Sequence, residues 1–274
     1  MSDASDCPSA LVWPAPHLVA APIDAPPAFT LARVEIPPSL DVDTGRWLPA
    51  LVIDGRLHPD EAALVEAMPP TRRATFVAGR LAMRTAMRTA LGAAHSGPAL
   101  HDAHAPILRT DRGAPVLPHA VAGSISHKHD AALALMLPRH TMPPATTTHV
   151  GVDLEHRPAA RDITRPSIAR RILTADELDA LSTLNADPLA QRERVILSFA
   201  IKEAVYKAID PTVQRYVRFT EVALRFTDYG TVAVSLLLPE LSNGEISVRA
   251  QYSLSDRWIV ATAVAVAATE PGVI

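Results

Sequence analysis

The sequence predicts an α+β fold in which two halves each contribute a long helix followed by antiparallel strands. Two observations carry this. Helical segments run from about Thr71 to Leu91 and from Ala190 to Ile209. Each is followed by short strand-like runs, not by a regular strand–helix alternation. The polar, Pro-bearing stretch Thr141–Thr148 separates them. It divides the 274 residues into an Ala/Pro-rich arm (1–30), an N-terminal half (31–148) and a C-terminal half (149–274).

The elements follow in order. Residues 1–30 lack periodicity and read as a loosely ordered arm or an irregular edge. Leu31–Ile36 is a strand, stopped by Pro37 and Pro38. Residues 57–68 form a helix opened by Pro59, with Asp60 and Glu61 in its first turn. Thr71 reads as the N-cap of the next helix and Gly92 as its stop. In that helix Phe76, Val77, Leu81, Met87 and Leu91 share one sector with Arg73, Arg80, Arg84 and Arg88, and no neighbouring acid balances the arginines. They are either snorkelling side chains at the rim of a packed helix or the walls of an anion site.

Residues 95–120 form a long loop. Val121–His127 and Ala131–Leu137 make a hairpin, and Val150–Leu154 is a further strand with acids at its end. Residues 165–186 hold one or two helices, with Thr174 capping Ala-Asp-Glu-Leu. The helix from Ala190 is expected to stop before Pro211. Strands then follow at Val222–Phe226, Thr231–Leu237, Ile246–Gln251 and Trp258–Val266.

Composition excludes several functions. With 26 Lys+Arg against 29 Asp+Glu, the formal charge of -3 argues against a general nucleic-acid or membrane-surface binder. One cysteine, Cys7, builds neither a disulfide scaffold nor a zinc site. The 11 glycines contain no G-x-G, and Pro98 and Ala99 follow Gly97 where a phosphate loop needs Lys and Ser or Thr. Phosphates must therefore meet side chains or a metal. The start of the chain has no basic and apolar leader, and its apolar runs fall short of the roughly 20 residues that span a bilayer. A cytoplasmic location is expected.

Four segments carry chemistry. In Gly151-Val152-Asp153-Leu154-Glu155, strand alternation puts Asp153 and Glu155 on one side, as two oxygen ligands for a hard divalent cation or as solvated acids. In Ser198–Ala208, Glu203 and Lys207 are an i, i+4 pair, either a surface ion pair or an acid beside phosphate-binding lysines. Gly123-Ser124-Ile125-Ser126-His127 is no nucleophile elbow. Ser126 and His127 can meet a phosphate, whereas His127 and His129 lack a third metal ligand in the sequence. Arg109-Thr110-Asp111-Arg112-Gly113-Ala114-Pro115 is a basic turn.

In this order the segments resemble the 4'-phosphopantetheinyl transferases of the surfactin and enterobactin-synthetase-component-D type. G-V-D-L-E resembles the family's G-[IV]-D-x-E, and F-A-I-K-E-A-V-Y-K-A its [FW]-[SAC]-x-K-E-A-x-Y-K-A. S-I-S-H resembles S-[IL]-[ST]-H, D-R-G-A-P resembles [DN]-[KR]-G-x-P, and the segment from Arg72 to Arg84 resembles an arginine-bearing helix of the enterobactin-type members. The likeness runs from about Arg72 to Phe226.

It implies two α+β halves related by a pseudo-two-fold, each a long helix on a small antiparallel sheet, with coenzyme A between them. It implies transfer of phosphopantetheine from coenzyme A to a serine of an apo acyl or peptidyl carrier protein, releasing adenosine 3',5'-bisphosphate. The implied ligands of Mg²⁺, or of Mn²⁺ in its place, are Asp153, Glu155 and Glu203. Glu203 is also the implied base, with Lys207 as its catalytic partner. Coenzyme A would be held by Arg80, Arg84, Arg112, Ser126, His127, Asp153, Lys202 and Lys207. A monomer is expected, with carriers of nonribosomal peptide, polyketide, siderophore or fatty-acid synthesis as partners. The Ala/Pro content leans towards secondary metabolism. Arg165, Arg170 and Arg171 are expected to face the acidic carrier.

Overall fold

The computed structural model describes residues 13–22, 28–38, 44–92, 105–142, 146–159, 166–183, 187–227, 230–240 and 245–268. Cys7, the first 12 residues of the expected arm, the phosphate-loop-like Gly97 and Arg165 lie outside the described residues.

The strands are β1 (His17–Val19), β2 (Thr30–Glu35), β3 (Val121–Lys128), β4 (Ala131–Pro138), β5 (Thr146–His156), β6 (Val222–Phe226), β7 (Thr231–Leu236), β8 (Ile246–Leu254) and β9 (Trp258–Ala268). The helices are α1 (Thr44–Ile53), α2 (Pro59–Glu66), α3 (Pro70–Leu91), α4 (Pro166–Ile172), α5 (Ala175–Thr183) and α6 (Pro188–Val213). All strand pairs are antiparallel, in a four-stranded sheet ordered β1-β2-β4-β3 and a five-stranded sheet ordered β5-β9-β8-β7-β6. The architecture is the expected α+β. Both sheets share one kernel. A first strand leads into a long helix, and the last strand returns between the first and the penultimate: β2-β4-β3 with α3, and β5-β9-β8 with α6.

Apolar periodicity explains the layers. Helix α3 buries Val77, Ala78, Leu81, Ala82 and Met83 against Val34, Ala132, Ala134 and Met136. The other side of the same strands carries Leu31, Leu133, Leu135 and Leu137, which meet Val150, Val152, Leu154 and Val260. Strand β4 is thus buried on both faces, which is why its sequence is an unbroken apolar run. Helix α6 packs Ala200, Ile201, Ala204, Val205 and Ala208 on Ala250, Ile259, Ala261 and Ala263. At Gly151 the fit is tightest. A Cβ there would stand 1.8 Å from the carbonyl oxygen of Ala204, so only glycine lets α6 lie this close to β5.

Four details differ from the sequence reading. Within the expected arm, β1 pairs with β2, and Trp13 is buried edge-on against Trp47, with ring centroids 5.2 Å apart. Helix α1 was not anticipated: Pro49 in its middle breaks the helical signature, yet Trp47, Leu48 and Leu51 bury its inner side. Helix α3 begins at Pro70 behind an N-cap at Pro69, with no side-chain cap, so Thr71 lies inside it. Helix α6 runs through Pro211 to Val213. A proline in the last turn forfeits a single ladder bond, and the stop comes at Gln214 (φ 54). Among the described residues, no helix is long and apolar enough to cross a membrane.

The Gly151 contact yields a direct test. Gly151→Ala must push α6 off β5 and is expected to cost at least about 3 kcal/mol, the upper end for overpacking a core. Urea unfolding measures it, and an unchanged midpoint would contradict this seating of the helix.

Candidate functional site

The site forms along the seam where β3 runs beside β5. The two strands are edges of different sheets, and side chains bridge them. Ser124 Oγ accepts from the Val152 N–H and Ser126 Oγ from the Leu154 N–H, each at 3.1 Å. Ser126 also donates to Asp153 Oδ1 at 2.7 Å. From α6, Lys207 Nζ donates to the same oxygen at 2.8 Å and to the Val152 carbonyl at 2.9 Å. The other carboxylate oxygen, Asp153 Oδ2, is buried with no hydrogen-bond partner.

Two more acids lie nearby. Glu155 pairs with Lys128, the residue after His127. Burial pushes its carboxyl above the ordinary glutamate value, against the pull of Lys128. Glu203, one helical turn before Lys207, is pushed up by burial too, with Lys207 opposing and Asp153 reinforcing. Among the described residues, the three side chains whose ligand atoms all lie within 4.8 Å of one another are a different set, His129, Asp130 and His156. The acids Asp153, Glu155 and Glu203 are not gathered that tightly. Mg²⁺ usually keeps waters and substrate phosphates and takes only one or two carboxylates, so it needs no such convergence. An all-oxygen donor set containing an orphaned buried carboxylate oxygen fits a hard cation.

Over this seam opens a cleft of about 1300 Å³ between α3 and α6. Arg72, Phe76 and Arg80 line it from α3, Arg109 and Arg112 from the loop, Ser124 and His127 from β3, and Glu203, Tyr206, Lys207 and Asp210 from α6. Its electrostatics are cationic and strained. Burial lowers Arg80 to about 10, with Arg84 and Arg109 adding to the effect and Glu61 opposing it. The Arg80 guanidinium lies over the Phe76 ring at 4.1 Å, and its Nε is buried without a partner. Burial, then Arg72, Lys207 and Lys128, hold His127 below the ordinary histidine value. Across the mouth, Arg112 forms a two-pronged ion pair with Asp210. Each of these groups would gain from an anion in the cleft.

The structure therefore brings Arg80, Arg112, His127, Glu203 and Lys207 to one cavity, with Asp153 and Glu155 beside it. Three sequence expectations change. Arg84 does not reach the cleft: it is buried against Glu61 Oε2 at 2.8 Å and the Ala105 carbonyl at 3.1 Å. The acid missing from its own helix comes from α2, and Glu61 Oε1 also takes the Ile107 N–H. Lys202 is fully buried on the far side of α6. Its Nζ donates to the Ile172 carbonyl, Glu177 Oε2 and the Phe219 carbonyl, at 2.8, 2.6 and 3.1 Å, which exhausts its three protons. Ser126 is not in the lining, and its hydroxyl is used by the Leu154 N–H and Asp153. Arg72, Arg109 and Asp210 were missed. Their signals were present (an arginine one turn before Phe76, the first residue of the basic turn, an acid one turn after Tyr206), but only the fold aims them inward.

Two family models match the chain. The 4'-phosphopantetheinyl transferase N-terminal domain covers residues 60–137, and the 4'-phosphopantetheinyl transferase superfamily, ACPS, covers residues 149–263. Similar solved structures include an apo-ACPS from Chronobacterium ammoniagenes, 21% identical, covering 44% of this chain and 98% of its own, with a TM-score of 0.35. An ACPS–CoA complex from the same organism is 23% identical, covers 43% of this chain and 96% of its own, and has a TM-score of 0.34. None of the curated proteins gives a significant match.

The raised Glu203 carboxyl has a consequence for stability. It binds its proton more tightly in the folded than in the unfolded chain, so it makes folding less favourable as pH rises from the ordinary glutamate value of 4.5 through the raised one. Glu203→Gln removes this, and in metal-free buffer the variant should gain stability over the wild type across that window. Parallel curves of unfolding free energy against pH would show that Glu203 is not desolvated.

Proposed function

The chain belongs to the 4'-phosphopantetheinyl transferase superfamily, and from that premise we propose that it moves the phosphopantetheine arm of coenzyme A to a serine of an apo acyl or peptidyl carrier protein. The observation that supports this best is the cleft itself. It is large enough for a nucleotide-sized substrate, and it gathers arginines, His127 and Lys207 around a desolvated Glu203.

In this reading the phosphates of coenzyme A lie among Arg72, Arg80, Arg109, Arg112, His127 and Lys207. Arginines grip phosphate oxygens in pairs, and Lys207 acts as a point charge fixed by Asp153 and Val152. A phosphate beside His127 restores the proton that burial discourages. Glu203 takes the proton of the carrier serine, directly or through a water, and its raised carboxyl suits a base working near neutral pH. The serine oxygen attacks the phosphorus on the pantetheine side. The bridging P–O bond breaks, and adenosine 3',5'-bisphosphate leaves. Asp153, Glu155 and Glu203 are the residues that would hold Mg²⁺, which when bound neutralises pyrophosphate charge. Positioning and charge stabilisation do the rest. The exposed Arg170 and Arg171 on α4 offer a basic face to an acidic carrier helix.

Mass spectrometry of an apo carrier panel incubated with coenzyme A and Mg²⁺ tests the reading. A phosphopantetheine mass gain is expected, and no gain on any carrier sinks it. Lys207→Ala should lower kcat ~100-fold or more, the scale on which one charge-stabilising group acts. Lys202→Met should instead lower thermal stability. A Lys202→Met protein of wild-type stability but without turnover would reverse the two assignments.

A further inference from the structure

At the end of the seam farthest from the linker, the tight β3–β4 turn carries His129 and Asp130, and β5 ends in His156. We propose that these three side chains form a second metal site, for a borderline transition ion of the Zn²⁺, Ni²⁺ or Cu²⁺ class, that clamps one sheet to the other. Two imidazoles and one carboxylate select such ions over Mg²⁺, which prefers oxygen ligands alone.

The donors already converge. His156 Nε2 lies 2.9 Å from Asp130 Oδ1, and His129 Nδ1 lies 3.7 Å from the same oxygen. A tetrahedral ion with bonds near 2.0 Å needs donors about 3.3 Å apart, so these spacings bracket the requirement. The two imidazole rings are 5.5 Å apart, and all three ligand atoms lie within 4.8 Å of one another. The His129 side chain is 83% exposed and free to swing inward, leaving the outer position to water.

The supporting contacts are those a metal site needs. Arg257 donates to Asp130 Oδ2, which turns Oδ1 towards the histidines. His156 stacks on Trp258 with ring centroids 4.3 Å apart, and the Arg257 guanidinium covers the same indole at 4.8 Å. Two of the three ligands are therefore held in place before any ion arrives. The site does not use the cleft acids: Lys128, two residues before Asp130, pairs with Glu155 instead. An ion here would link the β3–β4 turn of the first sheet to β5 and β9 of the second, adding a clamp to the two serine bridges.

Trp258 supplies the readout. Cu²⁺ is titrated into the full chain in excess Mg²⁺, and tryptophan emission is followed. One equivalent is expected to quench part of the emission, and a chelator in excess should restore it; Zn²⁺, the weaker binder, added first should raise the Cu²⁺ needed. His129→Ala, a change at an exposed position that leaves the fold intact, should weaken the quench by more than the ~10–100-fold that loss of a merely supporting partner costs. His156→Gln should do the same. Trp258→Phe should remove the quench while calorimetry still records one ion bound. Wild-type quenching in His129→Ala and His156→Gln, or no one-to-one binding at all, overturns the proposal. Neither coenzyme A nor a carrier protein enters the experiment, so its outcome is independent of the proposed transfer reaction.

Discussion

Between β3 and β5 the main-chain ladder that would fuse the two sheets is replaced by two hydroxyls. Edge strands that approach this closely must satisfy their inward N–H groups, and each one buried without a partner costs about 1–3 kcal/mol. Ser124 and Ser126, two residues apart and so on one side of β3, meet that need for Val152 and Leu154. The consequence reaches beyond adhesion. Because both hydroxyls must find their N–H groups at once, β5 is fixed in register on β3. That register sets Asp153 against Ser126 and within reach of Lys207. Gly151, on the same side of β5, lets α6 come close enough for Lys207 to make the contact. The position of the lysine ammonium in the cleft thus depends on two serines and a glycine.

The buried charges divide into two kinds. Arg84 with Glu61, and Lys202 with Glu177, are sealed in the core: both partners are buried, and backbone groups take further hydrogen bonds from each pair. Such pairs specify how α2 meets α3 and how α4 and α5 meet α6, and removing one member would strand a charge. Lys207, Arg80 and Asp153 are open systems. Lys207 uses two of its donors and is part exposed, Arg80 Nε and Asp153 Oδ2 lack partners, and all three face or adjoin the cavity. Access to the cavity, not burial, separates the two kinds of charge here.

That distinction sets the limit of what the sequence disclosed. Periodicity located both long helices, the β3–β4 hairpin and all four C-terminal strands, because each buries a regular face. Local motifs also singled out Glu203, Lys207 and His127, which the fold sets in the cleft, and Asp153 beside it. They failed where the outcome depends on a distant partner. Arg80 and Arg84 share a helical sector and are indistinguishable by spacing, and only Glu61, from another helix, assigns one to the core and leaves the other in the cleft. Lys202 and Lys207 flank the same acid. Five residues is not a whole number of helical turns, so their ammoniums leave α6 on different sides. Helix α1 escaped because Pro49 hides its pattern and its stability comes from Trp13, far off in sequence.

Two cations of the cleft are not waiting bare. Arg112 is held by Asp210 and Lys207 by Asp153, and beside the cleft Lys128 is held by Glu155. An incoming anion must exchange with a carboxylate instead of simply adding to a positive surface, and a cation entering with it would take over the carboxylates so released. Each partner's binding then removes part of the desolvation penalty on the other, which is positive coupling in the thermodynamic sense. The same pairing offsets part of the positive charge of the cleft. A chain of net charge -3 can thus hold an arginine-lined cavity, because acids beside the cleft and elsewhere outweigh its local excess.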